Sequence, residues 1–139
     1  MRFPLRHDDI DPRLNELGEG LVECIGDVRR ELGAGLMEGV YLDCLAEELR
    51  QRGVPCEAEV RVPLVYKGRL LGRHLRLDLL VGGEIVVEGK AVDVLHATHF
   101  AQLLTYLRLA DKPLGYLVNF NAVPLADGIH RRLRARRIG

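Results

Sequence analysis

Two apolar runs, Leu75 to Val81 and Ile85 to Val87, are separated by Gly82-Gly83. Aliphatic runs of this kind joined by adjacent glycines predict an antiparallel hairpin. The hairpin constrains every charged residue that it carries. Side chains two apart on a strand share a face, so Glu88 and Lys90 point the same way at the end of the second run. Asp78 lies on the first run. If Gly82 and Gly83 alone made the loop, Asp78 would stand opposite Val87 and Glu88 would turn to the other face. Asp78 and Glu88 can meet only if the loop holds an odd number of residues or one strand carries a bulge. One of these is expected, because two carboxylates and a lysine gathered there would suit a hard cation and a phosphate.

The rest of the chain sets this hairpin among helices. Asp11-Pro12 is a cap and first-turn pair. After it, Leu14, Leu17, Leu21, Cys24, Ile25 and Val28 recur at helical spacing, predicting an amphipathic helix over 12–31. Gly33-Ala34-Gly35 breaks it. A second helix is expected from about Leu36 to Arg52, burying Met37, Val40, Tyr41, Cys44, Leu45 and Leu49, with Gly53 as its stop. From Cys56 the period becomes two, with Val60, Val62, Leu64 and Tyr66 alternating with polar partners. Lys67-Gly68 turns the chain, a long strand runs through Val81, and residues 84–91 form a third. Helical spacing returns over His96 to Ala110, with Phe100, Leu103, Leu104 and Leu107 inward, until Asp111-Lys112-Pro113. Leu114 to Phe120 is almost wholly apolar, as in a strand buried on both faces. Ile129 to Arg136 alternates loosely and predicts a last strand. No repeat or linker interrupts residues 1–139, so one α/β domain of order α-α-β-β-β-α-β-β is expected.

Composition excludes more than it selects. Lys+Arg and Asp+Glu both number 20, so bulk charge gives no argument for a polyanionic partner. The charge is uneven, however: residues 129–139 hold Arg131, Arg132, Arg134, Arg136 and Arg137 and no acid. Such a tail can meet phosphates or be a solvated terminus, at even odds. Cys24, Cys44 and Cys56 are odd in number and widely spaced, which speaks against a zinc knuckle or a disulfide framework. Cys24 and Cys44 fall on apolar helical faces, as inert core thiols do. Met1 to Asp11 lacks the apolar core of a signal peptide, and no stretch has the length of a membrane span. A reducing cytoplasm is the expected setting.

Several residues have a bland reading beside a chemical one. Asp78 and Glu88 sit among apolar neighbours, where an unpaired carboxylate is expensive to bury. Each must meet a cation, and alone a salt bridge of Asp78 with Arg73 or Arg76 would account for it. Lys90 by itself is a surface lysine. Gln102 and Tyr106 are spaced i, i+4 on the third helix with His99 one turn earlier. That polar stripe is either a solvated side or a lid over the end of the third strand. His96 and His99 are three apart, but no third metal ligand follows at suitable spacing. Glu38 opens the second helix, where the helix dipole alone favours an acid. Were that helix to pack over the hairpin, Glu38 would join the metal edge.

Gly35-x-x-Glu38-x-x-Tyr41 resembles the signature of the GxxExxY proteins, a group within the PD-(D/E)XK nuclease superfamily. The resemblance runs from Leu14 to about Arg134. It includes Arg76-Leu77-Asp78, Glu88-Gly89-Lys90, Gln102-x-x-x-Tyr106 and Asn119-Phe120 in the family's order. It implies a restriction-endonuclease-like fold, a central mixed sheet flanked by helices. It also implies that Asp78 and Glu88 bind Mg²⁺ (or Mn²⁺) and that Lys90 is the catalytic lysine; in the hydrolytic mechanism that follows, the Gly89 carbonyl would be an extra ligand. Glu38 would hold a second ion or tune the first, and Gln102 would position substrate or Lys90. Tyr106, Tyr41, Arg131 and Arg132 are the candidate substrate contacts. Two departures stand out. Many relatives carry a histidine where this chain has Arg29, and a bulky aliphatic where it has Gly89. The implied activity is metal-dependent hydrolysis of phosphodiesters, DNA more than RNA, from an end or internally, with a homodimer as one way to engage both strands. The alternative is a nuclease-like module that binds nucleic acid or a protein without cutting. A buried ion pair of Lys90 with Glu88 or Asp78 is the third reading.

Overall fold

The computed structural model describes residues 2–4 and 10–137, and the side chains of 10–134. The expectation that Met1 to Asp11 is no signal peptide falls partly on residues 1 and 5–9, which lie outside the described residues, as do the Arg136 and Arg137 side chains. The elements in order are β1 Arg2–Pro4, α1 Pro12–Leu32, α2 Glu38–Gln51, β2 Cys56–Tyr66, β3 Arg69–Val81, β4 Ile85–Lys90, α3 Ala97–Leu109, β5 Leu114–Asn119, β6 Ile129–Leu133 and β7 Ala135–Arg137, with a 3-10 turn at Leu125–Gly128 before β6.

Asp11 caps α1, its carboxylate accepting the Arg13 N–H at 2.9 Å. The helix buries Leu14, Leu21, Cys24, Ile25 and Val28, the face that the spacing predicts. It ends at Gly33, whose φ of 75° suits glycine. The second helix begins at Glu38 rather than Leu36. Tyr41 explains the delay: its hydroxyl donates to the Gly33 carbonyl at 2.6 Å and accepts the Leu36 N–H at 3.1 Å, holding 33–36 as a loop. Met37 and Val40, expected inside, are exposed for the same reason.

Five strands form a mixed sheet of order β2-β3-β4-β5-β6, in which only β4 and β5 are parallel. The α3 crossover between them makes that possible. Helices α1 and α2 cover one face through Leu21, Ile25, Tyr41 and Leu45 against Val81, Val87 and Val118. Helix α3 covers the other, with Leu103 and Leu107 against Leu80, Val86 and Leu117. Strands β4 and β5 are thus buried on both sides, which is why their sequences are nearly continuous apolar runs.

The predicted last strand is two. Arg134 leaves the ladder, its N–H donating to the Pro113 carbonyl at 3.0 Å. Beyond it, β7 pairs antiparallel with β1 in a separate two-stranded sheet. Among the described residues no helix is long and apolar enough to cross a membrane.

Gly115 seats α3 on the sheet. A Cβ there would lie 2.8 Å from Leu103 Cδ1 and 3.0 Å from Leu107 Cδ2, both fully buried. Gly115→Ala should therefore cost about 1–3 kcal/mol in urea unfolding, as overpacking does. Undiminished stability would contradict this packing of α3.

Candidate active site

The loop between β3 and β4 holds three residues, Gly82, Gly83 and Glu84, because Val81 pairs with Ile85. Positive φ at Gly82 (60°) and Gly83 (72°) makes that turn. The register continues through Leu80↔Val86 to Leu79↔Val87 and so carries Asp78 alongside Glu88. The odd loop required by strand parity is present.

Pairing of β3 with β4 stops at Leu79↔Val87, and there the carboxylates take over from the ladder. Asp78 Oδ2 accepts the Gly89 N–H at 2.9 Å, and Glu88 Oε1 accepts the Asp78 N–H at 3.3 Å. Two backbone donors that separating strands would strand are thereby satisfied. Glu88 is only 4% exposed. Burial first, then the neighbouring Asp78 charge and the hydrogen bond between the two side chains, push the Glu88 carboxyl up to about 8, against smaller opposing pulls from the Asp78 N–H and Lys90. Among the described residues neither carboxylate is in an ion pair. Arg76, the candidate partner for Asp78, lies 3.4 Å from Glu59 instead.

Lys90 ends β4, in register with Asn119 of β5. Asn119 is buried, and sequence reasoning gave it no role. Its amide donates to the Val92 carbonyl at 2.8 Å, while Oδ1 accepts the N–H groups of Val92 (3.1 Å) and Asn121 (3.2 Å). The Phe120 N–H donates to the Lys90 carbonyl at 2.8 Å. Asn119 thus locks the segment that follows Lys90 onto the end of β5. A polar residue closing a wholly buried apolar strand was the available signal.

From α3, Tyr106 reaches the carboxylates. Its phenol is raised by burial and then by the charges of Glu88 and Asp78, with Arg76 pulling it down. Gln102 is exposed one turn earlier. Because α3 returns antiparallel to β4, Gln102 lies toward the Lys90 end. The His96–His99 pair is spent on the helix start, where the His96 N–H donates to His99 Nδ1 at 3.1 Å.

Four further expected site residues have the following surroundings. Glu38 is exposed at the start of α2, and no group of three or more His, Cys, Asp or Glu among the described residues could hold a metal ion. Tyr41 is fully buried, stacked on Phe120 at 4.8 Å, and both of its hydrogen bonds are internal. It is a loop clamp and offers nothing to substrate. Arg131 donates to Asn15 Oδ1 at 2.7 Å. Arg132 lies over the Phe100 ring at 4.9 Å and donates to the Arg131 carbonyl. Adjacent on a strand, the two arginines face opposite sides of the sheet and form no common patch. Gly89 stays at the site as backbone only, with Leu42 of α2 filling its place: a Cβ would lie 2.8 Å from Leu42 Cδ2. Arg29 ties down the loop after β5, donating to the carbonyls of Phe120 (3.0 Å) and Ala122 (2.5 Å).

The family model of the PD-(D/E)XK nuclease superfamily matches residues 15–132. The chain belongs to that superfamily. No curated protein and no solved structure matches it. Nucleases of the PD-(D/E)XK superfamily typically use divalent metal ions. Asp78 and Glu88 fit such an ion chemically: they are hard oxygen donors, side by side, with no protein cation between them.

Metal-free, the Glu88 carboxyl titrates near 8 in the folded chain and near 4.5 when unfolded. The folded chain holds the extra proton in that window, so this stabilisation is full below about 4.5 and is lost as pH rises through 8. In EDTA, stability should fall between pH 5 and 9 for the natural chain and stay flatter for Glu88→Gln. The variant should gain on the order of a few kcal/mol at the alkaline end. Parallel urea-unfolding profiles would show an ordinary, solvated Glu88.

Proposed function

We propose that this protein hydrolyses phosphodiester bonds in nucleic acid, DNA before RNA, with Mg²⁺ or Mn²⁺ held by Asp78 and Glu88, and that it is one of the GxxExxY proteins. The observation that carries the reading is the pair of carboxyl groups alongside one another, neither in an ion pair among the described residues, with Lys90 at the end of the same strand as Glu88. When bound, a divalent cation supplies Lewis acidity and an activated water. The chain's own groups do the rest. Asp78 and Glu88 offer one oxygen each to the cation, and the Gly89 carbonyl is the proposed third donor. The Lys90 ammonium neutralises charge growing on the phosphate oxygens and orients the attacking water. Tyr106 packs against the apolar cluster on the α3 side, close enough to the carboxylates for their charge to raise its phenol. Gln102, at the Lys90 end of α3, positions the phosphodiester. Asn119 holds Lys90 in place through Val92.

A binding module that does not cut is favoured by one observation, the position of Glu38 away from the carboxylates. Saturable Mn²⁺ binding that is lost in Asp78→Asn supports the enzyme, and no binding supports the module.

Lys90→Ala should lower Mn²⁺-dependent cleavage of DNA about 100-fold or more, the usual effect of removing one charge-stabilising group. Far-UV circular dichroism and Tm should not change. Equal cleavage by the two proteins would end the proposed mechanism.

A further inference from the structure

The hairpin of β2 and β3 is much longer than the sheet needs. Pairing of β2 with β3 runs from Cys56↔Val81 out to Tyr66↔Arg69, whereas β4 pairs with β3 only over Leu79–Val81. Beyond Leu79 the two strands continue alone as a ribbon. From Asp78 to Arg69 that arm is roughly 30 Å long at strand rise. Its base is anchored, with Val60 and Val62 packed against the α3-side core. Its outer part is bare: Tyr66 is 59% exposed and Leu70 70%.

The arm concentrates charge that the whole chain balances. Residues 60–76 carry Arg61, Lys67, Arg69, Arg73 and Arg76 and no Asp or Glu, in a chain with 20 of each sign. Arg61 and Arg76 are register partners, so two guanidinium groups stand side by side on one face. Like charges directly opposite cost stability in a sheet, and no packing offsets them, since both are exposed. Arg76 has Glu59 as a neighbour, whereas Arg61, Lys67, Arg69 and Arg73 are in no ion pair among the described residues. The Lys67 ammonium sits 5.3 Å from the Tyr66 ring centre, which puts cation and aromatic together at the tip. Cations along an unpaired edge also discourage strand addition by another copy. That role leaves the exposed Tyr66 and Leu70 unexplained, because they would favour such addition. The base of the arm leads into the site: Asp78 follows Arg76 by two residues, and the Arg76 charge reaches Tyr106.

We propose that the ribbon of residues 60–76 is a nucleic-acid-binding arm, in which Arg61, Lys67, Arg69 and Arg73 hold successive phosphates and Tyr66 stacks on a base, guiding a strand toward Asp78 and Glu88. A two-stranded ribbon of this width enters a major groove or tracks a single strand. The proposal rests on the nucleic-acid reading above but needs no cleavage.

The test is binding of labelled 20-nucleotide single-stranded and duplex DNA and RNA in EDTA, by fluorescence anisotropy over a salt series. Lys67→Gln/Arg69→Gln/Arg73→Gln should weaken binding about a hundredfold near 0.1 M salt and lower the salt slope by about 2–3, one phosphate contact per cation. Tyr66→Ala should cost about tenfold with little change in slope. The control Arg13→Gln/Arg30→Gln/Arg50→Gln carries an equal charge change away from the arm and should bind as the natural chain does. Unchanged affinity and slope in the arm triple overturn the proposal, as does an equal loss in the control or no oligonucleotide binding by the natural chain. A shift from dimer to monomer by sedimentation in the arm triple also overturns it, making the ribbon a self-association surface. Arm-dependent binding without cleavage supports the arm and removes the hydrolytic reading. Cleavage that is indifferent to the arm does the reverse.

Discussion

The contact between the Asp78 and Glu88 side chains is the costly feature around which this fold is arranged. Two carboxylates side by side repel when both are charged, and burial penalises the Glu88 charge. The chain meets the cost with backbone. The Asp78 and Gly89 N–H groups, released where β3 parts from β4, donate to the two carboxylates, and Glu88 keeps its proton to about pH 8. The pair sits where the sheet opens, so the end of β4 is the natural entry.

The rest of the architecture fixes that opening. Strands β4 and β5, buried between α1/α2 and α3, cannot shift relative to one another without disturbing both cores. Gly115 lets α3 lie close, which brings Tyr106 to the carboxylates. Gly89 lets Leu42 fill the opposite face at the same level. On the far side of the β4–β5 pair, Asn119, Phe120 and Arg29 secure the segments after Lys90 and after β5. Each of these holds backbone near the site, and none supplies chemistry of its own.

Much of this was legible in the sequence. Strand parity alone stated the condition on the 82–84 loop, because a period of two leaves no intermediate answer. Helical and strand periods located the elements to within a few residues, since most of the apolar positions that made them visible are buried here, although Met37, Val40, Tyr66 and Leu104 are exposed. Side-chain allegiance was harder. Tyr41 belongs to a motif with Glu38, yet its hydroxyl serves Gly33 and Leu36, which spacing cannot reveal. Arg131 and Arg132 looked like a basic tail because Asn15 and Phe100, distant in sequence, are what occupy them. The length of the β2–β3 hairpin was readable, but not that β4 abandons β3 after three pairs and leaves an arm.

On the proposed reading, Glu88 is protonated in the metal-free notch and releases that proton to the buffer when a divalent cation binds it together with Asp78. Calorimetric titration of Mn²⁺ at pH 7, repeated in buffers of different ionisation enthalpy, counts that proton directly. Close to one proton should be released per ion bound, and none of that release should remain in Glu88→Gln. Mn²⁺ binding without proton release, or release unchanged in Glu88→Gln, would contradict it.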